Sequence, residues 1–210
     1  MKTPVAVLIS GSGSNLQAII DQTEAGTLPI NICCVISNKA DAFGLERARK
    51  HGIAAVCITS KGKAREEHER EIVDELDARG VELVVLAGYM RLLGHDLLER
   101  YKGRVINIHP ALLPSFPGSH GYEDAWNYGV KVSGCTVHFV DEGCDTGPII
   151  LQGVNPVEPD DTFESFRQRG LSIEHKVLPE AIRLYCAGRL RIEGRRVMIA
   201  PDPAESAGEV

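Results

Sequence analysis

Val5-Ala6-Val7-Leu8-Ile9-Ser10-Gly11-Ser12-Gly13-Ser14-Asn15-Leu16-Gln17-Ala18-Ile19-Ile20 is the stretch from which the fold can be read. The run 5–9 is short, apolar and partly β-branched, the pattern of a strand buried on both faces of a parallel sheet. Glycine and serine stop it, and beyond them Leu16, Ile19 and Ile20 recur at helical spacing. Strand, glycine turn and helix make the opening half of a βαβ unit. Free N–H groups at such a helix start suit an anion, which makes Gly13, Ser14 and Asn15 candidate phosphate contacts. A dinucleotide is disfavoured: Leu16 replaces the third glycine of G-x-G-x-x-G, no Gly-Lys-Ser/Thr follows, and Ser37-Asn38-Lys39 offers no acid after the second strand. The alternatives are the phosphate monoester of a small metabolite, or a plain turn in which Ser14 or Asn15 only caps the helix.

Moving outward, strands at 30–36, 54–58, 81–87 and 105–108 alternate with helices at 15–24, 43–50, 63–79 and 95–101. This alternation defines an α/β class with a doubly wound, mostly parallel sheet and helices on both faces. After His109 the texture changes, because Pro110, Pro114, Pro117 and Gly118 exclude regular helix and interior strand. A helix at 122–128 follows, then strands 134–140 and 148–154 around a turn-rich segment, expected to pair antiparallel. A long helix at 162–187 is capped by Asp161 or Thr162, bent by Pro179 and ended by Gly188. No repeat or linker interrupts this pattern. One catalytic domain at 1–200 with a flexible tail at 201–210 is the expectation.

Composition excludes several classes. Of the 210 residues 43% are hydrophobic and 25% charged, and the longest apolar run, Ile53-Ala54-Ala55-Val56-Cys57-Ile58, falls far short of the roughly 20 residues that span a bilayer. The N-terminal stretch has no small-residue cleavage site and reads as a strand, not a signal peptide. A net charge of −6 argues against nucleic acid, which requires a basic face. The six cysteines form no C-x-x-C pair and read as reduced thiols of a cytoplasmic protein. No histidine has metal-ligand spacing, so no metal is expected, and His138 reads with His51, His68, His95 and His120 as a surface or core residue.

The chemistry concentrates at Asn107-Ile108-His109-Pro110. The period of two puts Asn107 and His109 on one side of a strand's carboxyl end, where open α/β sheets bind ligands. An amide donor beside an imidazole suits a carbonyl oxygen that becomes an anion while a proton moves. They could equally be a satisfied interior pair. In Asp141-Glu142-Gly143-Cys144-Asp145 a carboxylate could reach His109 and raise its pKa.

Five segments together have a family look: Ile9-Ser10-Gly11-Ser12-Gly13-Ser14-Asn15-Leu16-Gln17-Ala18-Ile19, Ser37-Asn38-Lys39-Ala40-Asp41-Ala42, Leu86-Ala87-Gly88-Tyr89-Met90-Arg91, Asn107-Ile108-His109-Pro110-Ala111-Leu112-Leu113-Pro114, and Gly134 to Val140 running into Asp145-Thr146-Gly147-Pro148. The chain resembles the phosphoribosylglycinamide formyltransferase family over roughly residues 5–190. The His-Pro-x-Leu-Leu-Pro segment is shared with methionyl-tRNA formyltransferase and formyltetrahydrofolate hydrolase, so by itself it indicates formyl-folate chemistry only. The resemblance implies formyl transfer from 10-formyltetrahydrofolate to the amine of 5-phosphoribosylglycinamide, in purine synthesis and without a metal. The alternative is a 10-formyltetrahydrofolate hydrolase or a formyltransferase acting on another amine.

By the same resemblance Asn107, His109 and Asp145 fall on the catalytic Asn, His and Asp. Asn107 and protonated His109 would stabilise the oxyanion, and Asp145 would keep His109 charged. Gly13, Ser14, Asn15 and Glu174 would bind the phosphoribosylglycinamide. Arg65, Met90, Arg91, Leu92, Leu93, Asn107, Asp141, Glu142, Gly143, Cys144 and Asp145 would meet the folate. Three departures stand out: Ala111 in place of a common Ser, Gly121-Tyr122-Glu123 in place of a His-Arg-type sequence, and Cys144 before the catalytic Asp. The partners implied are small molecules, with the protein a monomer or a homodimer.

Overall fold

A computed structural model describes residues 2–202, so the expected tail lies almost wholly outside the described residues. The chain runs β1 (Thr3–Ile9), α1 (Ser14–Glu24), β2 (Ile30–Ser37), α2 (Phe43–Lys50), β3 (Ala55–Cys57), α3 (Arg65–Ala78), β4 (Leu83–Leu86), α4 (His95–Arg100) and β5 (Val105–His109). It continues through α5 (Gly121–Tyr128), β6 (Val132–Phe139), β7 (Ile149–Pro156), α6 (Phe163–Cys186), β8 (Leu190–Glu193) and β9 (Arg196–Ile199). All strands among the described residues join one sheet in the order β3-β2-β1-β4-β5-β6-β7-β9-β8. The first five positions are parallel, whereas β6 is antiparallel to both β5 and β7.

Alternation along β1 separates two cores. Val5, Val7 and Ile9 face Leu16, Ile19, Leu45, Leu178 and Ile182, so α1, α2 and α6 cover one side. Ala6 and Leu8 face Ile72, Leu76, Leu97 and Tyr101, so α3 and α4 cover the other. Fully burying side chains of this size contributes about 1.5–3 kcal/mol each. Both faces of the parallel half are therefore dry, and ligands are left the strand ends.

The local starts and stops follow from particular residues. Gly13, at φ 70°, precedes α1, where no side chain caps the helix. A Cβ at Gly13 would lie 2.8 Å from the Gly44 Cα, so the turn needs glycine for its angle and for its closeness to α2. Thr162 caps α6 through a reciprocal pair with Ser165, and the helix runs on through Pro179. The sequence reading misses the β8–β9 hairpin, which extends the sheet beyond β7 through the single register pair Ile149 with Arg196.

Candidate active site

The site lies where β5, the last parallel strand, meets the antiparallel β6. This register sets Asn107 opposite His138 and His109 opposite Thr136. A cavity of about 320 Å³ opens there, within the range of small-molecule sites. One wall is the turn from Gly88 to Leu93, the other is Val140 to Asp145, and Asn107, His109 and His138 form the floor.

Each wall is tied down. Ser10, at the end of β1, accepts the Met90 N–H at 2.9 Å and gives its own proton to Asn38 Oδ1 at 2.6 Å. At the far end of that turn the Gly94 N–H donates to buried Glu69 at 2.7 Å, and Arg65 Nε donates to the same oxygen at 3.0 Å. The opposite wall is closed by Asp141, whose Oδ1 accepts from Thr146 Oγ1 at 2.6 Å and from Gly143 N at 3.2 Å. Exposed Met90 and Leu92 with the bare backbone between them make a slot that suits a flat, polar-edged heterocycle.

On the floor, His109 is almost fully buried and lies 2.7 Å by Nε2 from the carbonyl oxygen of Phe116. A carbonyl only accepts, so Nε2 carries the proton. The bare Nδ1 then faces Asp145 Oδ2 at 3.4 Å. Asp145 also accepts from Gly118 N at 2.8 Å and lies 3.6 Å from His138 Nε2. His138 directs Nδ1 to Phe139 O at 2.8 Å, which leaves Nε2 as an acceptor for Asn107 Nδ2 at 3.1 Å. Asn107 Nδ2 also approaches Asp145 Oδ1 at 3.4 Å. Phe116 and Asp145 both have positive φ, 52° and 54°. Strained backbone of this kind recurs where a site must hold its geometry.

Burial alone would raise the Asp145 carboxyl, but at the acid pH where that carboxyl titrates His138, the Gly118 N–H and His109 outweigh it and hold it at about 2. His109 goes against the expectation. Burial carries it below its ordinary value despite the opposing pull of Asp145. In a dry pocket the desolvation of an imidazolium outweighs one carboxylate 3.4 Å away. The imidazole is therefore neutral near pH 7, with Nδ1 free to take a proton.

The cavity walls include Met90, Arg91, Leu92, Leu93, Asp141, Gly143 and Cys144 besides the residues of the floor. Arg65 and Glu142 do not line it: Arg65 pairs with Glu69, and Glu142 meets His95 Nδ1 at 2.8 Å on the surface. Cys144 lies 3.6 Å from Asp145 Oδ2, and burial together with that carboxylate pushes its thiol up, away from reactivity. Asn15 and Glu174 meet in a second, buried cluster, where Asn15 Nδ2 donates to Glu174 Oε2 at 2.6 Å. The side chain of Asn15 is thus not a helix cap. His138 was missed by the sequence reading, because only the β5–β6 register brings it beside Asn107.

A neutral imidazole with a free nitrogen, a fixed carboxylate beside it and an amide donor can accept and return one proton while a carbonyl oxygen gains charge. The fold and these groups define a group transferase working at a carbonyl carbon, and by its match to the formyl transferase model over residues 3–182 the chain belongs to that family. Among its relatives, phosphoribosylglycinamide formyltransferase of Escherichia coli (strain K12) is 44% identical over 90% of this chain and 89% of its own. The solved glycinamide ribonucleotide transformylase 1 of Symbiobacterium toebii superposes with a TM-score of 0.92 at 50% identity, covering 95% of each chain. The trifunctional purine biosynthetic protein adenosine-3 of Drosophila melanogaster is 47% identical over 88% of this chain, which spans 14% of that longer protein. Among the described residues no group of three or more His, Cys, Asp or Glu could hold a metal ion, and no helix is long and apolar enough to cross a membrane.

Proposed function

We propose that this protein transfers the formyl group of 10-formyltetrahydrofolate to the amine of 5-phosphoribosylglycinamide, giving the N-formyl product and tetrahydrofolate in purine biosynthesis. The observation that carries the reading is the Asn107, His109 and Asp145 group on the floor of a slot, with a separate acceptor cluster at Asn15 and Glu174. The folate supplies an activated formyl carbon. Its ring suits the slot between Met90–Leu93 and Val140–Asp145. Asn107, held by His138 through one Nδ2 hydrogen, offers the other, which approaches Asp145 in this structure, to the oxygen that gains charge, the kind of donor whose loss costs about 100- to 1,000-fold in turnover. The Nε2–H of His109, given to Phe116 O in this structure, serves the same oxygen once that oxygen takes the carbonyl's place. His109 Nδ1 holds the proton that leaves the amine, stabilised there by Asp145, and returns it to the leaving nitrogen. The expected preformed imidazolium is thus replaced by a neutral imidazole that charges during turnover.

Gly13, Ser14 and Asn15 take the phosphate-bearing substrate at the start of α1, where the first N–H groups of the helix have no intrahelical partner. Water, the acceptor in a hydrolase, has no use for a second cluster built from α1 and α6. Six free cysteines support a cytoplasmic setting. The test follows deformylation of a 10-formyl folate with and without phosphoribosylglycinamide. The transferase requires the glycinamide and forms one formylated product per folate consumed. Deformylation at the same rate without it would overturn the proposal in favour of the hydrolase.

A further inference from the structure

Glu174 poses a problem that the reaction scheme leaves open. It is a carboxylate buried against α1 and α5, it has no ion pair among the described residues, and burial raises its pKa. Two neutral donors hold it: Asn15 Nδ2 on Oε2 at 2.6 Å and the hydroxyl of Tyr122 on Oε1. Each oxygen keeps one lone pair, and beside them Asn15 Oδ1 is buried with no partner. The cluster consists of unfilled acceptors. A ligand fragment that fits it carries several hydrogens to donate, as a sugar's hydroxyls or a primary amine does.

Tyr122 belongs to the segment that departs from the family pattern, and the structure has made room for it. A Cβ at Gly170, on α6, would come within 2.5 Å of the Tyr122 ring and hydroxyl. Phe166 packs edge-on to the same ring, with centroids 5.9 Å apart. On the near side Gly121 abuts Pro110, which lines the catalytic cavity. One turn of α5 therefore touches the catalytic pocket and the Glu174 cluster together.

We propose that Tyr122, seated in the space left by Gly170, is a positioning residue that orients Glu174 toward the hydroxyl and amine hydrogens of the formyl acceptor. This rests on the transferase reading above and deepens it. The groups acting on Glu174 leave Tyr122 as its one hydroxyl donor. Arg167, on the same helix, acts only through its charge, and Cys135 on β6 is a neutral thiol pushed up to about 12. The phenol of Tyr122 is itself raised, by burial first and Glu174 second, and so stays a donor at every working pH. Removing it leaves a buried carboxylate with one donor, which shifts Glu174 further toward the protonated form and withdraws an acceptor from the ligand.

The experiment measures kcat and both KM values across the neutral pH range for the wild type, Tyr122→Phe and Gly170→Ala. Loss of a hydrogen bond to a charged group predicts a KM for phosphoribosylglycinamide raised about 10-fold or more in Tyr122→Phe. The KM for the formyl folate stays at the wild-type value. The weakening of glycinamide binding as pH falls sets in at higher pH than in the wild type. Gly170→Ala, which keeps the phenol but displaces it, gives the same split. A Tyr122→Phe enzyme with unchanged glycinamide KM and pH profile overturns the proposal, as does a uniform fall in kcat with both KM values raised together. A wild type that deformylates without the glycinamide overturns the function itself, and the two failures are thereby distinct.

Discussion

Replacing Asp145 by Asn isolates charge from shape. Asn tolerates the positive φ of 54° at this position better than other residues, so the loop keeps its path. With its oxygen in the place of Oδ2 it can still accept from Gly118 N beside the bare Nδ1 of His109, while its amide takes the place of Oδ1 toward His138 Nε2, and no charge is left to stabilise a protonated His109. Held at about 2 against an ordinary 3.8 where His109 carries charge, the carboxylate contributes at most about 2 kcal/mol to the folded state. The sign is that of a depressed acid: the contribution is complete above an unfolded value near 3.8 and is lost as pH falls toward 2. Thermal unfolding of Asp145→Asn at pH 7 should therefore lie below the wild type by no more than about 4–8 °C, and the gap should close as pH falls toward 2. Turnover should drop about 100- to 1,000-fold, with KM for either substrate within about 3-fold, because the change acts on the charged state formed during the reaction. A melting gap that does not vary with pH, or turnover within about 3-fold of wild type, would refute the reasoning.

His138→Ala removes the acceptor that holds Asn107 Nδ2, and kcat should fall about 10-fold with the folate KM little changed; a kcat equal to wild type would show that Asn107 orients itself. Gly147→Ala places a Cβ against the Phe139 carbonyl, so the wall at 140–147 must shift; urea unfolding should show a loss of about 1–3 kcal/mol together with a raised folate KM. Glu69→Gln keeps an acceptor for Gly94 N but loses the charge facing Arg65, so the folate KM should rise several-fold while glycinamide binding, measured calorimetrically, stays constant.

Much of this architecture was legible because both faces of the parallel half are buried, so that each strand is an apolar run and each helix an apolar stripe. The helix expected at 43–50 is found at Phe43–Lys50, while the charged helix expected at 63–79 shortens to Arg65–Ala78. The β8–β9 hairpin was missed because its strands carry charge and lie largely exposed. The signal available was Leu190, Ile192, Val197 and Ile199 alternating around Gly194, a turn residue at φ 61°. Asn107 and His109 were placed by strand period alone. The partnership of Asn107 with His138 depends on register between strands, and the protonation of His109 depends on how dry the pocket is. Neither is written in local spacing.

The bond between Asn15 and Glu174 joins positions 159 apart in the chain. Synthesis from the N-terminus releases the glycine turn before α6, the last of the described helices. The groups proposed for proton transfer, at 107–145, are all extruded before Glu174, the residue proposed to complete acceptor recognition. A nascent chain thus passes through a stage that carries Asn107, His109 and Asp145 without the second half of the Asn15–Glu174 cluster. Docking α6 covers one face of the sheet and completes the Asn15–Glu174 cluster in one event.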